Sequence, residues 1–120
     1  MSTAPVTALP ALYDFILWIS AKIGAFPRNH RFTVGDRLMT ALLDILDRLI
    51  EAQYTPSARR VALQRANVAL ERARYLLRLS KDLNCLSLKE YEFACGNVLT
   101  VGRMIGGWLR QQTPTPPAAV

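Results

Sequence analysis

Apolar positions along the chain fall into four blocks at helical spacing. In the first, Leu12, Phe15, Ile16, Ile19 and Ile23 recur in steps of one, three and four, which places them on one face of an α-helix. Pro10 is suited to open that helix, and Gly24 and Pro27 to end it near Ala25. The second block, Leu38, Leu42, Ile45, Leu46, Leu49 and Ile50, predicts a helix running to about Gln53. Thr33 is its expected N-cap, with Asp36 three residues on in the manner of a capping box. Thr55 followed by Pro56 starts a third helix, which continues to about Leu83 and leaves Asn84 for the C-terminal turn. "SLKE", Ser87 to Glu90, is a second capping box. It opens a fourth helix to about Gln112, with the stripe Leu88, Tyr91, Cys95, Val98, Gly102, Ile105 and Leu109. No segment alternates with a period of two. Short turns between long helices make neighbours antiparallel, so the expected fold is all-α, an antiparallel up-down four-helix bundle. The expected organisation is a flexible N-terminus over 1–8, a bundle domain over 9–112 and a disordered Pro-rich tail over 113–120.

Three of the helices carry more apolar surface than one bundle needs. The second is apolar over about half its circumference, against a stripe somewhat over 100° wide in an ordinary bundle helix. The fourth carries Phe93, Met104 and Trp108 beside its core stripe, and Trp18 of the first points away from the apolar face, between Asp14 and Lys22. Each large side chain gains roughly 1.5–3 kcal/mol on burial, so the surplus predicts contacts between subunits. "GRMIG", Gly102 to Gly106, is a small-xxx-small pattern. Gly costs a helix about 1 kcal/mol against Ala, so the expected use of Gly102 and Gly106 is close backbone approach. Arg103 and Arg110 interrupt the segment and argue against a membrane span. On the third helix, Ala62, Ala66, Ala69, Ala73 and Ser80 form a small-residue seam flanked by Leu63, Leu70, Leu76 and Leu77.

Charge sharpens this picture. The 120 residues include 15 Lys and Arg against 9 Asp and Glu, a formal net charge of +6, which points to anionic partners. Most of it sits on the third helix. From Ser57 to Asp82, Arg59, Arg60, Arg65, Arg72, Arg74, Arg78 and Lys81 stand against Glu71 and Asp82 alone. Arg60, Arg74, Arg78 and Lys81 fall toward the outer face, with Arg59 at its N-terminal end, and these are the candidate nucleic-acid or partner contacts. Arg65 and Arg72, one heptad apart on the flank, are expected to lay their stems over apolar surface and point their heads at Asp44, Asp47 or Glu51 of the second helix. Tyr75 is the one aromatic among them, so base stacking is not expected. Repeated around an oligomer, such a stripe makes a polyvalent surface for phosphates.

Catalysis has little to work with. His30, in "AFPRNHRFTVGDRL", is the one histidine, so neither an oriented nucleophile–base pair nor paired Glu-x-x-His metal ligands can be assembled. There is no phosphate-binding glycine loop, and Cys85 and Cys95 read as structural. No metal, cofactor or small-molecule substrate is expected. The stretch reads instead as a connector. Phe26 and Phe32 plug that end of the bundle, Arg28 stays exposed in a basic rim, and Arg31 either bonds the last carbonyls of the first helix or pairs with Asp36. The N-terminus lacks the features of a signal peptide, which makes the cytoplasm the expected location.

Four stretches in order, "LWISAKIGAFPRNHRFTVGDRL", "LLDILDRLIEAQYT", "ANVALERARYLLRLSKDLNCLSLKEYEFA" and "VGRMIGGWLR", are similar to the accessory variability determinant proteins of diversity-generating retroelements, part of a wider family of small bacterial four-helix proteins. The similarity covers about Leu9 to Gln112. It implies a barrel-like homopentamer with a strongly basic surface. It also implies a partner, the element's reverse transcriptase, acting with template RNA, and with its cDNA, in mutagenic homing, the accessory protein itself being non-catalytic. The number five comes from the resemblance alone. Thr100 departs from it, standing where relatives often have an acid. The competing reading is a structural or protein-binding oligomer whose charge only solubilises it.

Overall fold

The computed structural model describes residues 4–112, with side chains from residue 8 onward. Residues 1–3 of the expected N-terminal segment 1–8, and the expected tail over 113–120, lie outside the described residues. Four long helices carry the fold, α1 (Ala4–Gly24), α2 (Asp36–Tyr54), α3 (Arg59–Asp82) and α4 (Leu88–Gln111), and no strand occurs among the described residues. Each helix packs on its neighbours in sequence, and α1 closes against α4. The result is an all-helical bundle with one core. Leu12, Phe15, Ile19, Leu38, Leu42, Ile45, Leu49, Leu63, Leu70, Leu77, Val98 and Ile105 are all buried in it.

The helix ends show where local rules held. Ser87 and Glu90 form the expected capping box. The Glu90 N–H donates to Ser87 Oγ at 3.1 Å and the Ser87 N–H donates to Glu90 Oε1 at 2.9 Å. Lys22 of α1 reaches the same carboxylate at 3.2 Å. Asn84 adopts φ 61° and ends α3, with the Cys85 N–H bonded to the Ser80 carbonyl and the Asn84 N–H to that of Lys81. That pair of bonds is the Schellman closure, which favours Gly or Asn at the left-handed position.

The Ser87 N–H first and Lys22 second hold the Glu90 carboxyl below its ordinary value of 4.5. A depressed carboxyl contributes stability that is complete above its unfolded pKa and is lost as pH falls through the folded one. Melting temperature should therefore drop as pH is lowered below about 4.5, and Glu90→Gln should flatten that part of the profile. An acid limb unchanged by Glu90→Gln would refute the contribution.

Elsewhere the structure corrects the sequence reading. Helix α1 starts at Ala4, and Pro10 lies inside it. Proline there forfeits one backbone bond, but the extra turns bring Ala8 into the core. Thr33 is not an N-cap. The chain becomes helical again at Arg28–His30 and passes through a wide π-turn, Arg31–Gly35, directly into α2. Thr33 Oγ1 donates back to the Asn29 and His30 carbonyls instead. Gly35 has its place here because a Cβ would stand 3.0 Å from Ile23 Cγ2, where the π-turn presses on the end of α1. Thr55 holds the N-cap position with no side-chain bond, and Pro56 follows in a short 3₁₀ turn, Pro56–Ala58.

The stripe of α4 is the largest correction. Its buried residues are Ala94, Val98, Val101, Ile105 and Trp108, rotated from the expected set, and Leu88 is exposed. Trp108 is 2% exposed and belongs to the core, not to a second surface. Phe93 remains half-exposed, and Met104 is half-buried against the core. Trp18 does not stand apart. Its ring lies 4.6 Å from that of Phe93 and 6.0 Å from that of Phe15, and so joins α1 to α4. Phe26 plugs its end of the bundle as expected, whereas Phe32 is 65% exposed and does not.

Candidate nucleic-acid and partner interface

The seam Ala62, Ala66, Ala69, Ala73 and Ser80 is buried along its length, which fixes the rotation of α3 about its axis. That rotation sends the seven basic side chains of α3 into three environments.

Arg59 points inward at one end of the bundle. Its Nε donates to the Ala52 carbonyl at 2.6 Å and its Nη2 to the Gln53 carbonyl at 3.3 Å. Its guanidinium lies 5.7 Å from the Trp108 ring. It caps the C-terminal carbonyls of α2, so its donors are engaged by the protein and it is removed from the exposed basic set. The first turn of a helix facing the last turn of its predecessor is the sequence signal for such a role.

Arg60, Arg74, Arg78 and Lys81 follow the side of α3 that faces α4. Arg74, Asn67 and Glu71 line a groove of about 550 Å³ whose other wall includes Gly102 and Gly106. Gly102 allows the close approach foreseen for it. A Cβ there would meet Arg74 Nη2 at 2.9 Å and Leu70 Cδ2 at 3.0 Å. Gly106 does not serve that purpose, since its nearest neighbour would be Arg110 Nη1 at 3.6 Å. Toward the far end of α3 the lining changes to Tyr75, Arg78 and Tyr91 around a smaller space of about 230 Å³. Lys81 sits 5.3 Å from the Tyr91 ring. Tyr91, expected in the core stripe, is half-buried against the core and also supplies a second aromatic to the basic groove. Its hydroxyl is pushed above its ordinary value, first by the Cys95 thiol and then by burial, so it is present as a neutral phenol.

The cations here are held loosely. Arg74 pairs with Glu71 at 3.1 Å, Arg78 with Asp82 at 4.0 Å and Lys81 with Asp82 at 3.0 Å. Pairs this exposed are worth about 0–1 kcal/mol. A phosphate offers stronger, charge-assisted bonds to the same guanidinium groups. At the opposite end Arg60 donates to the Gln112 carbonyl at 3.0 Å.

Arg65 and Arg72 take the other side of α3, in grooves shared with α2. One, of about 360 Å³, is lined by Asp44, Arg48, Val61, Arg65, Val68 and Arg72 among others. Neither arginine makes the expected ion pair among the described residues: Asp44 and Glu51 pair with Arg48 of their own helix, and Asp47 is exposed without an ion pair. In the connector, Arg31 Nη2 donates to the Phe26 carbonyl at 3.3 Å, just past the end of α1, rather than to Asp36. Arg28 is exposed, at the end of the bundle where α3 finishes with Arg78 and Lys81.

His30 Nε2 has Asn29 Nδ2 3.5 Å away as its partner, and among the described residues no group of three His, Cys, Asp or Glu is placed to hold a metal ion. Burial pushes the Cys85 thiol up, away from the thiolate a nucleophile needs. Among the described residues, no helix is long and apolar enough to cross a membrane.

An all-helical bundle of the described residues, with the positive charge concentrated on one helix, defines a small basic four-helix protein. The chain matches the bAvd-like family over residues 9–112 and belongs to it, which is consistent with an accessory variability determinant protein of diversity-generating retroelements. No curated protein and no solved structure matches it.

Proposed function

We propose that this chain is the non-catalytic accessory protein of a diversity-generating retroelement, working as a basic homopentameric scaffold that binds the element's reverse transcriptase and its template RNA or cDNA. The observation that carries the reading is the groove between α3 and α4. Arg74, Arg78 and Lys81 converge there with Tyr75 and Tyr91, and their intramolecular partners are exposed carboxylates that phosphates can displace. Membership of the bAvd-like family supports the retroelement context. Five copies would repeat the groove around the assembly, multiplying phosphate contacts without a new residue.

Those same ion pairs favour a second reading, a protein-binding or structural oligomer in which Glu71 and Asp82 neutralise the face and no nucleic acid is bound. Titration of the purified protein with template RNA at two salt concentrations separates the two. The logarithm of affinity should fall with the logarithm of salt by about 0.7 for each single-strand phosphate engaged. Absent or salt-independent binding would refute the RNA-scaffold reading.

A further inference from the structure

Helices α2 and α3 each carry a second stripe on the side away from the core. On α2 it runs Asp36, Thr40, Leu43, Asp47, Ile50 and Tyr54. On α3 it runs Val61, Arg65, Val68 and Arg72. Every one of these residues is exposed. Both stripes advance in alternating steps of four and three residues. A 3.5-residue period on an outer face is the spacing of a helix that packs against another helix. Leu43 and Ile50 are each 43% exposed, Val61 49% and Val68 61%. The charges set between these apolar residues are opposite in sign: Asp36 and Asp47 on α2, Arg65 and Arg72 on α3. None of the four has an ion-pair partner among the described residues.

We infer that the α2 stripe of one copy docks on the α3 stripe of the next, with Asp47 against Arg65. This rests on the oligomeric scaffold proposed above and names the surface that builds it. Charge selects the arrangement. A contact of like faces, α2 on α2 or α3 on α3, would bring carboxylate to carboxylate or guanidinium to guanidinium. Pairing unlike faces avoids both, and repeated head-to-tail around the scaffold proposed above it closes into a ring. In a ring whose axis follows the bundle, all copies point the same way. Since α2 and α3 are antiparallel within a subunit, α2 then meets the neighbouring α3 antiparallel. With Asp47 over Arg65, that direction places Ile50 over Val61 and Leu43 over Val68, so apolar residues meet on both sides of the ion pair. The basic groove of Arg74, Arg78 and Lys81 lies on the other flank of α3 and stays open.

The test is a charge-exchange cycle read by sedimentation or native mass spectrometry, with circular dichroism to confirm that each variant is folded. Asp47→Arg and Arg65→Asp should each weaken association at least about 100-fold, because like charges then face one another across the interface. The double variant restores opposite charges and should recover the native assembly. An oligomer undisturbed by either single exchange, or a double variant no better than the singles, overturns this interface and leaves the scaffold reading in place. A wild-type chain that is monomeric at all concentrations overturns the scaffold reading itself, and this interface with it.

Discussion

Trp108→Ala should destabilise the protein by about 3–5 kcal/mol, the range for truncating a buried aromatic side chain. The ring is 2% exposed and sits where three chain ends meet. These are the last turn of α2, the first turn of α3 and the last turn of α4. Arg59 spans them, its guanidinium beside the ring and its donors on the Ala52 and Gln53 carbonyls. Removing the indole leaves a cavity and also loosens the arginine that caps α2. Trp18→Ala is the comparison, since that ring is only half-buried and packs on the half-exposed Phe93, and its loss should be clearly smaller. Urea unfolding of both variants decides the matter. A loss below about 1 kcal/mol for Trp108→Ala would show that the ring does not fill the core.

Reversing the basic groove is the second large effect. Arg60, Arg74, Arg78 and Lys81 changed together to Glu should lower RNA affinity at least about 100-fold at moderate salt. The salt slope should shrink by roughly 0.7 for each cation that met a single-strand phosphate. Helicity should survive, because Glu is a good helix former and none of the four side chains is buried. Arg59→Met provides the contrast. It should reduce stability, through the loss of charged hydrogen bonds to two carbonyls, and leave the salt slope unaltered. If the four reversals leave RNA affinity unchanged, the groove is not the binding site. If Arg59→Met lowers the slope, Arg59 has a role beyond the cap.

Much of this was written in local order. The small-residue seam of α3 was legible because Ala and Ser at helical spacing have one efficient use, letting a neighbouring helix sit close. The Ser87 capping box and the Asn84 turn were legible because each depends on backbone geometry within four residues. The start of α2 was misread for the same reason. "TVGD" satisfies a local capping rule, yet the contact of Gly35 with Ile23 of α1 makes a continuous π-turn the better solution. Trp108 was misplaced because a wide apolar arc on α4 admits more than one rotation. Only packing against α1 and α3 chooses among them.

The basic groove followed a similar division. Helical periodicity put Arg60, Arg74, Arg78 and Lys81 on one side of α3 from the sequence. Periodicity alone could not know that Tyr91 of α4 would come to stand beside Tyr75, or that Arg59 would turn inward to the carbonyls of α2. Those contacts join residues far apart in the chain or across a turn, and they depend on how helices are rotated against one another. The sequence by itself determined four helices, the seam that buries α3 and the concentration of positive charge on that helix, because each follows from spacing within a single helix. Tertiary structure alone decided which arginines are caps, which line the groove and which remain unpaired on an outer stripe. A side chain's role there is set by the neighbouring helix that competes with water for it.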